Sequence, residues 1–96
     1  MYKLNVVSAR FYEVQLPGGK VLHLEQPKLK VLRKIEDSGE SVQELAESVS
    51  MILSKNREHV KISPAEVMEM LDLDQCSDFL DDFTDWLTGQ KAADPN

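Results

Sequence analysis

Hydrophobic and polar residues change their period once along this chain, near Pro27. Before it the period is two. From Phe11 to Leu16 the order Phe-Tyr-Glu-Val-Gln-Leu places Tyr12, Val14 and Leu16 on one side and Glu13 and Gln15 on the other, with Phe11 the exception. That is the pattern of a half-buried strand. Pro17-Gly18-Gly19 supplies a preset φ followed by two residues that tolerate positive φ, and the β-rich run Lys20 to Leu24 then resumes. The segment predicts a β-hairpin. Tyr2, Leu4 and Val6 also alternate, which predicts a further strand at the start, broken by a bulge near Ser8 to Arg10. Two strands are marginal in water, so the ribbon must pack on helices.

After Pro27 the apolar positions fall three and four apart. Pro27 is placed as the first residue of a helix with Leu29, Val31, Leu32 and Ile35 on its apolar side and an end near Ser38-Gly39. Ser41 to Glu44 has the spacing of a capping box, ahead of a second helix that turns Val42, Leu45, Ala46, Val49, Ile52 and Leu53 inward and ends near Lys55-Asn56. Ser63 to Glu66 repeats the box with Pro64 at the first helical position, and Ile62 is placed to staple against Val67. This third helix carries Val67, Met68, Met70 and Leu71 and is expected to be two turns long, because Asp74 offers another cap. A fourth helix from about Gln75 to Thr88 sets Cys76, Phe79, Leu80, Phe83, Trp86 and Leu87 in a stripe roughly 120° wide at about 100° per residue. Gly89 stops it. Asp78, Asp81, Asp82 and Asp85 occupy the opposite side. The expected architecture is α+β, a short N-terminal antiparallel β-ribbon packed on three or four α-helices. Residues 1–89 form a single domain and residues 90–96 a flexible polar tail.

Composition narrows the class. A chain of 96 residues, 42% hydrophobic and 29% charged, is an ordinary globular balance and has room for one domain. Its one cysteine, Cys76, rules out an intramolecular disulfide framework and a multi-cysteine metal site, and fits a reducing, cytoplasmic setting. No run approaches the roughly 18 to 20 apolar residues of a membrane span, and the first residues lack a secretory apolar core. The net charge of −6 opposes direct contact with nucleic acid or anionic lipid. It is unevenly spread. Residues 1–62 carry ten Lys/Arg and eight Asp/Glu, hence +2, whereas residues 63–89 carry eight acids and no base, hence −8.

Candidate chemistry changes the picture little. His23 falls in a strand and His59 in a polar linker, with no nucleophile beside a recognisable base, and Cys76 falls on an apolar stripe where a small core residue belongs. The acidic run Asp72 to Asp78 resembles a calcium loop only briefly. Cys76 stands at its fifth position, Phe83 at its twelfth, and the central glycine is missing. Asp37-Ser38 invites comparison with the modified serine of acyl carrier proteins, but Gly39 follows where leucine is expected. No residue is assigned as catalytic, cofactor-binding or metal-binding, and the chain is read as no enzyme. Phe79, Phe83 and Trp86 can be read as a partner groove or as plain core, and core is favoured because a domain of this size needs that stripe to stabilise itself. Asp78, Asp81, Asp82 and Asp85 are the candidate partner-binding residues, weighed against a plain solvated face.

The run from Phe11 to Leu32, with its Leu-Pro-Gly-Gly turn and Pro27, resembles the opening of many tail assembly chaperones of long-tailed bacteriophages and prophages. In those proteins a short hairpin with a Leu-Pro-x-Gly-like turn leads through a proline into a helix. The ending Phe79-Leu-Asp-Asp-Phe83-Thr-Asp-Trp86-Leu87 looks like their closing aromatic helix. The likeness covers roughly residues 9 to 88 and rests on pattern and element order. It implies a non-enzymatic factor of virion morphogenesis in the host bacterial cytoplasm, absent from the finished particle, without cofactor. Its partners would be the tape measure protein, which such chaperones coat, and tail tube subunits, with homo-oligomerisation left open. It also implies a longer frameshifted product diverging within Gln90 to Asn96. The alternative is a small acidic phage-encoded regulatory or inhibitor protein, acting through protein contacts or nucleic-acid mimicry by the acidic helix.

Overall fold

A Pro-Gly-Gly turn closes the hairpin where the change of direction is expected. The computed structural model describes residues 1–4, 10–37 and 41–89. Strand β1 spans Tyr12–Gln15 and β2 spans Val21–Leu24, antiparallel, with Tyr12 opposite Leu24 and Gln15 opposite Val21. The Gly19 N–H donates to the Leu16 carbonyl at 2.9 Å. Pro17 sits second in that turn, and Gly18 third with φ +100°, a conformation that costs a residue with a Cβ. Leu16, Leu22 and Leu24 are buried, Tyr12 and Val14 half-buried, and Glu13 and Gln15 exposed.

The expected strand at the start does not form over Met1 to Leu4. Tyr2 and Leu4 are 87% and 88% exposed and no ladder includes them. Alternation places side chains, but only a partner's hydrogen bonds make a strand. Val6 and, of the bulge expected near Ser8 to Arg10, all but Arg10 lie outside the described residues.

Four helices follow. Helix α1 is Leu29–Asp37, so Pro27 stands two residues before it and not at its first position, because the first turn is closed from the Lys28 carbonyl, which accepts from the Val31 and Leu32 N–H groups. It buries no residue fully, and Leu29, which the apolar spacing turns inward, is 81% exposed in its first turn. Its expected end at Ser38-Gly39 lies outside the described residues, as does the tail 90–96. Helix α2 is Val42–Ser54, capped by Ser41, whose hydroxyl accepts from the Glu44 N–H at 3.3 Å. It is the central element, packing on α1, α3, α4 and β2, and it buries Ala46, Val49, Ile52 and Leu53. Val42 is the correction there: in the first turn it projects past the core and is 65% exposed.

Helix α3, Pro64–Met70, has the complete predicted box: Ser63 Oγ accepts from the Glu66 N–H at 3.1 Å, and Glu66 Oε1 from the Ser63 N–H at 2.8 Å. Ile62 and Val67 are both buried. Met68 faces out at 43% exposure. Helix α4 is Leu73–Leu87. Asp72 caps it instead of Asp74, in a reciprocal pair with Gln75 whose two bonds are each 2.8 Å. A capping box needs its acceptor three residues before a Glu or Gln, and only Asp72 has one there.

The α2–α3 linker lies along the outer edge of β2. The Glu25 N–H donates to the Lys55 carbonyl at 2.9 Å, and the Arg57 N–H to the His23 carbonyl at 3.0 Å. Buried Asn56 holds this linker's shape, donating to the Leu53 and Val60 carbonyls at 2.7 Å each and accepting from the Val60 N–H at 2.9 Å. The molecule measures 44 × 30 × 25 Å. Among the described residues, no helix is long and apolar enough to cross a membrane.

Candidate partner-binding surface

Helix α4 builds the surface that the sequence singles out. Its period turns Cys76, Phe83 and Trp86 into the core, with Phe79, Leu80 and Leu87 half-buried at the margins. The ribbon covers this stripe with one ring. Tyr12 stands edge-on to Phe79, Phe83 and Trp86, with centroids 5.9, 5.3 and 5.7 Å away. Arg10 lies over the Trp86 ring, 4.5 Å from its centroid, and donates to the Trp86 carbonyl. The aromatic residues are therefore core, joining the two ends of the sequence.

Three of the four candidate aspartates, Asp78, Asp81 and Asp85, are exposed. Asp82 is not. It is half-buried at the seam between α4 and β1, where its Oδ2 accepts from the Tyr12 hydroxyl at 2.5 Å. Burial, with this bond next in weight, pushes the Tyr12 hydroxyl well above its ordinary range. The sequence places Asp82 on the outer side because helical period assigns an angle, whereas the edge of the buried stripe depends on how far a neighbour reaches. Cys76 is 5% exposed, and burial pushes its thiol up, away from the reactive thiolate.

A groove of about 510 Å³ opens between the hairpin turn and the first half of α4. Its walls are Val14, Leu16, Leu53, Leu71 and Phe79, with exposed Gln75 and Asp78 also lining it. Of the residues that sequence reasoning weighed as a groove, only Phe79 lines it; the other walls come from β1, α2 and the joint before α4, which no spacing brings together.

His23 belongs to a separate cluster on the outer face of the ribbon. Its Nδ1 lies 2.5 Å from Glu58 Oε2 and its Nε2 3.2 Å from Glu13 Oε2, while its backbone N–H donates to Glu58 Oε1 at 2.9 Å. Glu58 above all holds the imidazole's pKa up, and the His23 backbone bond, then its ring, hold the Glu58 carboxyl down. Phe11 meets the His23 ring edge-on at 5.1 Å and lies under Arg57 at 4.5 Å. With both ring nitrogens occupied by carboxylates, His23 clamps the α2–α3 linker to the ribbon. Nothing in the sequence joins His23 to Glu58, 35 positions away. His59 stands apart in the linker with φ +61°. Among the described residues, no group of three or more His, Cys, Asp or Glu side chains is placed to hold a metal ion. Comparison with family models, curated proteins and solved structures gives no match to this chain.

Proposed function

We propose that this protein is a tail assembly chaperone of a long-tailed bacteriophage or prophage, a non-enzymatic factor that binds the tape measure protein, tail tube subunits or both while the tail is assembled. One observation carries the reading. The two segments that bear the resemblance, the hairpin near the start and the acidic aromatic helix near the end, meet as one unit through Tyr12, Phe79, Phe83 and Trp86. That unit presents apolar groove walls beside an exposed acidic surface, a combination suited to holding an apolar segment while keeping the complex soluble.

Coexpression with the tape measure and tail tube proteins encoded nearby tests it. The expected result is a larger soluble fraction of the partner and copurification of the pair. Equal solubility alone and no copurification would remove the reading. The second reading, an acidic regulator or inhibitor, is favoured by Asp81 and Asp85 standing exposed on a helix without a lysine or arginine. Gene neighbourhood separates the two, because a chaperone gene lies between a tail tube gene and a very long tape measure gene and a regulator's has no reason to.

A further inference from the structure

Among the described residues, one edge of the ribbon is covered and the other is open. The outer edge of β2 is taken up by the α2–α3 linker, through the His23 carbonyl and the Glu25 N–H. Strand β1 pairs only with β2 among the described residues. Alternation in an antiparallel ladder fixes which groups lie along the open edge. His23 directs its N–H to Glu58 and its carbonyl to Arg57, both away from β1. Its cross-strand partner Glu13 therefore also directs its backbone groups away from β2, and Gln15, two residues on, does the same.

This open edge adjoins the groove. Val14 and Leu16 supply one wall, and Phe79 and Leu71 face them across about 510 Å³, within the roughly 300–1,000 Å³ range of ligand clefts. The one charged residue lining it is Asp78. Residues 63–89, which supply that side, hold eight acids and no base. A backbone edge, an apolar floor and a single sign of charge together specify a ligand of one chemistry.

We propose that β1 and the groove bind an extended segment of another protein by strand addition, with its apolar side chains seated on Phe79 and Leu71 and a lysine or arginine beside them meeting Asp78. This rests on the chaperone reading for the partner's identity and on the geometry alone for the mode. Unpaired strand edges recruit extended chains in this way, the main chain giving affinity and alternate side chains giving selectivity.

The test uses two probe sets with the full chain. One is a pair of synthetic extended peptides with the same alternating apolar residues, flanked by lysine in one and glutamate in the other. The other is a series of overlapping peptides from the adjacent tape measure and tail tube proteins. The lysine peptide is expected to bind and the glutamate peptide to bind at least about tenfold more weakly. Asp78→Lys should weaken the lysine peptide by about tenfold. Asp85→Lys, two turns along the same helix and beyond the groove, should change it less than about threefold. Gln15→Pro removes an edge donor and leaves β1–β2 pairing in place, so it should also weaken binding, with the parent's circular dichroism. In the complex, the Glu13 and Gln15 amides should become protected from hydrogen exchange.

Binding of the lysine peptide without binding of any tail-protein peptide keeps the groove and removes the chaperone reading. Tail-protein peptides that bind Asp78→Lys and Gln15→Pro as they bind the parent remove the groove and keep the chaperone. Failure of both probe sets removes the groove as well.

Discussion

Tyr12 carries more of this structure than any alternation of residues could announce. Its ring fills the space between three aromatic side chains of α4, and its hydroxyl is bound to the Asp82 carboxylate. A hydrogen bond to an ionised acceptor contributes about 1.5 to 3 kcal/mol when sheltered and less where water competes. Tyr12→Phe, which keeps the ring, is therefore expected to cost about 1 to 2 kcal/mol in urea denaturation, and Tyr12→Ala distinctly more. The pH dependence has a definite sign. The unfolded chain releases this proton near its ordinary value of 10.0, whereas the folded state holds it to higher pH. Stability from the hydroxyl is thus complete below the ordinary 10.0 and is lost as pH rises through the folded value, and Tyr12→Phe should flatten that alkaline slope. His23 has its own window. Its raised folded pKa means that its contribution is fully present below the ordinary 6.5 and disappears as pH rises through the folded value. Glu58, held down, contributes above its ordinary 4.5 and loses this as pH falls through its folded value. The linker clamp should accordingly be firmest between about pH 4.5 and 6.5. Thermal melts of His23→Gln across about pH 5 to 8 should lose the parent's decline on the alkaline side, and an unchanged profile would refute the clamp.

At the scale of elements, legibility tracks how local the cause is. The Pro17-Gly18-Gly19 turn, the Ser63 box with Pro64 and the inward stripe of α4 each depend on neighbours within a few residues, and each stands in the structure as the spacing predicts. The spacing starts α4 two residues late, because two aspartates compete for the cap and only the side-chain partner Gln75 decides between them. Period alone turns Leu29 and Val42 inward, yet it says nothing about whether a neighbouring element reaches a helix's first turn. The longer α4 also changes its electrostatics. Asp74, in the first turn, takes the favourable place at the positive helix end, while Asp78 lies beyond the reach of that effect. On the outer side, Asp81 and Asp85 stand one turn apart, and each i,i+3 or i,i+4 repulsion costs about 0.2 to 0.5 kcal/mol at low salt. Replacing both by asparagine should raise stability slightly in low salt, with the gain shrinking as salt is added. Asp82→Asn should do the opposite, because it weakens the acceptor of the Tyr12 hydroxyl. A denaturation series in which the three positions behave alike would contradict the division of this face between seam and surface.

Across the whole molecule, what sequence conveys and what folding creates separate cleanly. Charge is carried by the residues themselves, so the contrast between +2 over residues 1–62 and −8 over residues 63–89 is legible in their order alone. The groove is not, because Val14, Leu53, Leu71 and Phe79 become neighbours only when the ribbon, α2 and α4 converge. The two levels act on different steps of an association. In the proposed complex, groove contacts are short-ranged and would set how long it lasts, whereas the acidic side of α4 acts beyond contact distance and would set how often a basic partner arrives. For the proposed binding to the tape measure or tail tube protein, the association rate should fall as salt rises from about 0.01 to 0.15 M, over which the screening length shrinks from about 30 to 8 Å. Asp81→Asn with Asp85→Asn should slow association by about twofold to fivefold at low salt and leave dissociation nearly unchanged, since neither residue lines the groove. Asp78→Lys should instead speed dissociation as well. Stopped-flow kinetics at several salt concentrations distinguishes these outcomes, and an association rate indifferent to Asp81 and Asp85 at low salt would leave that part of the acidic face with solubility as its role.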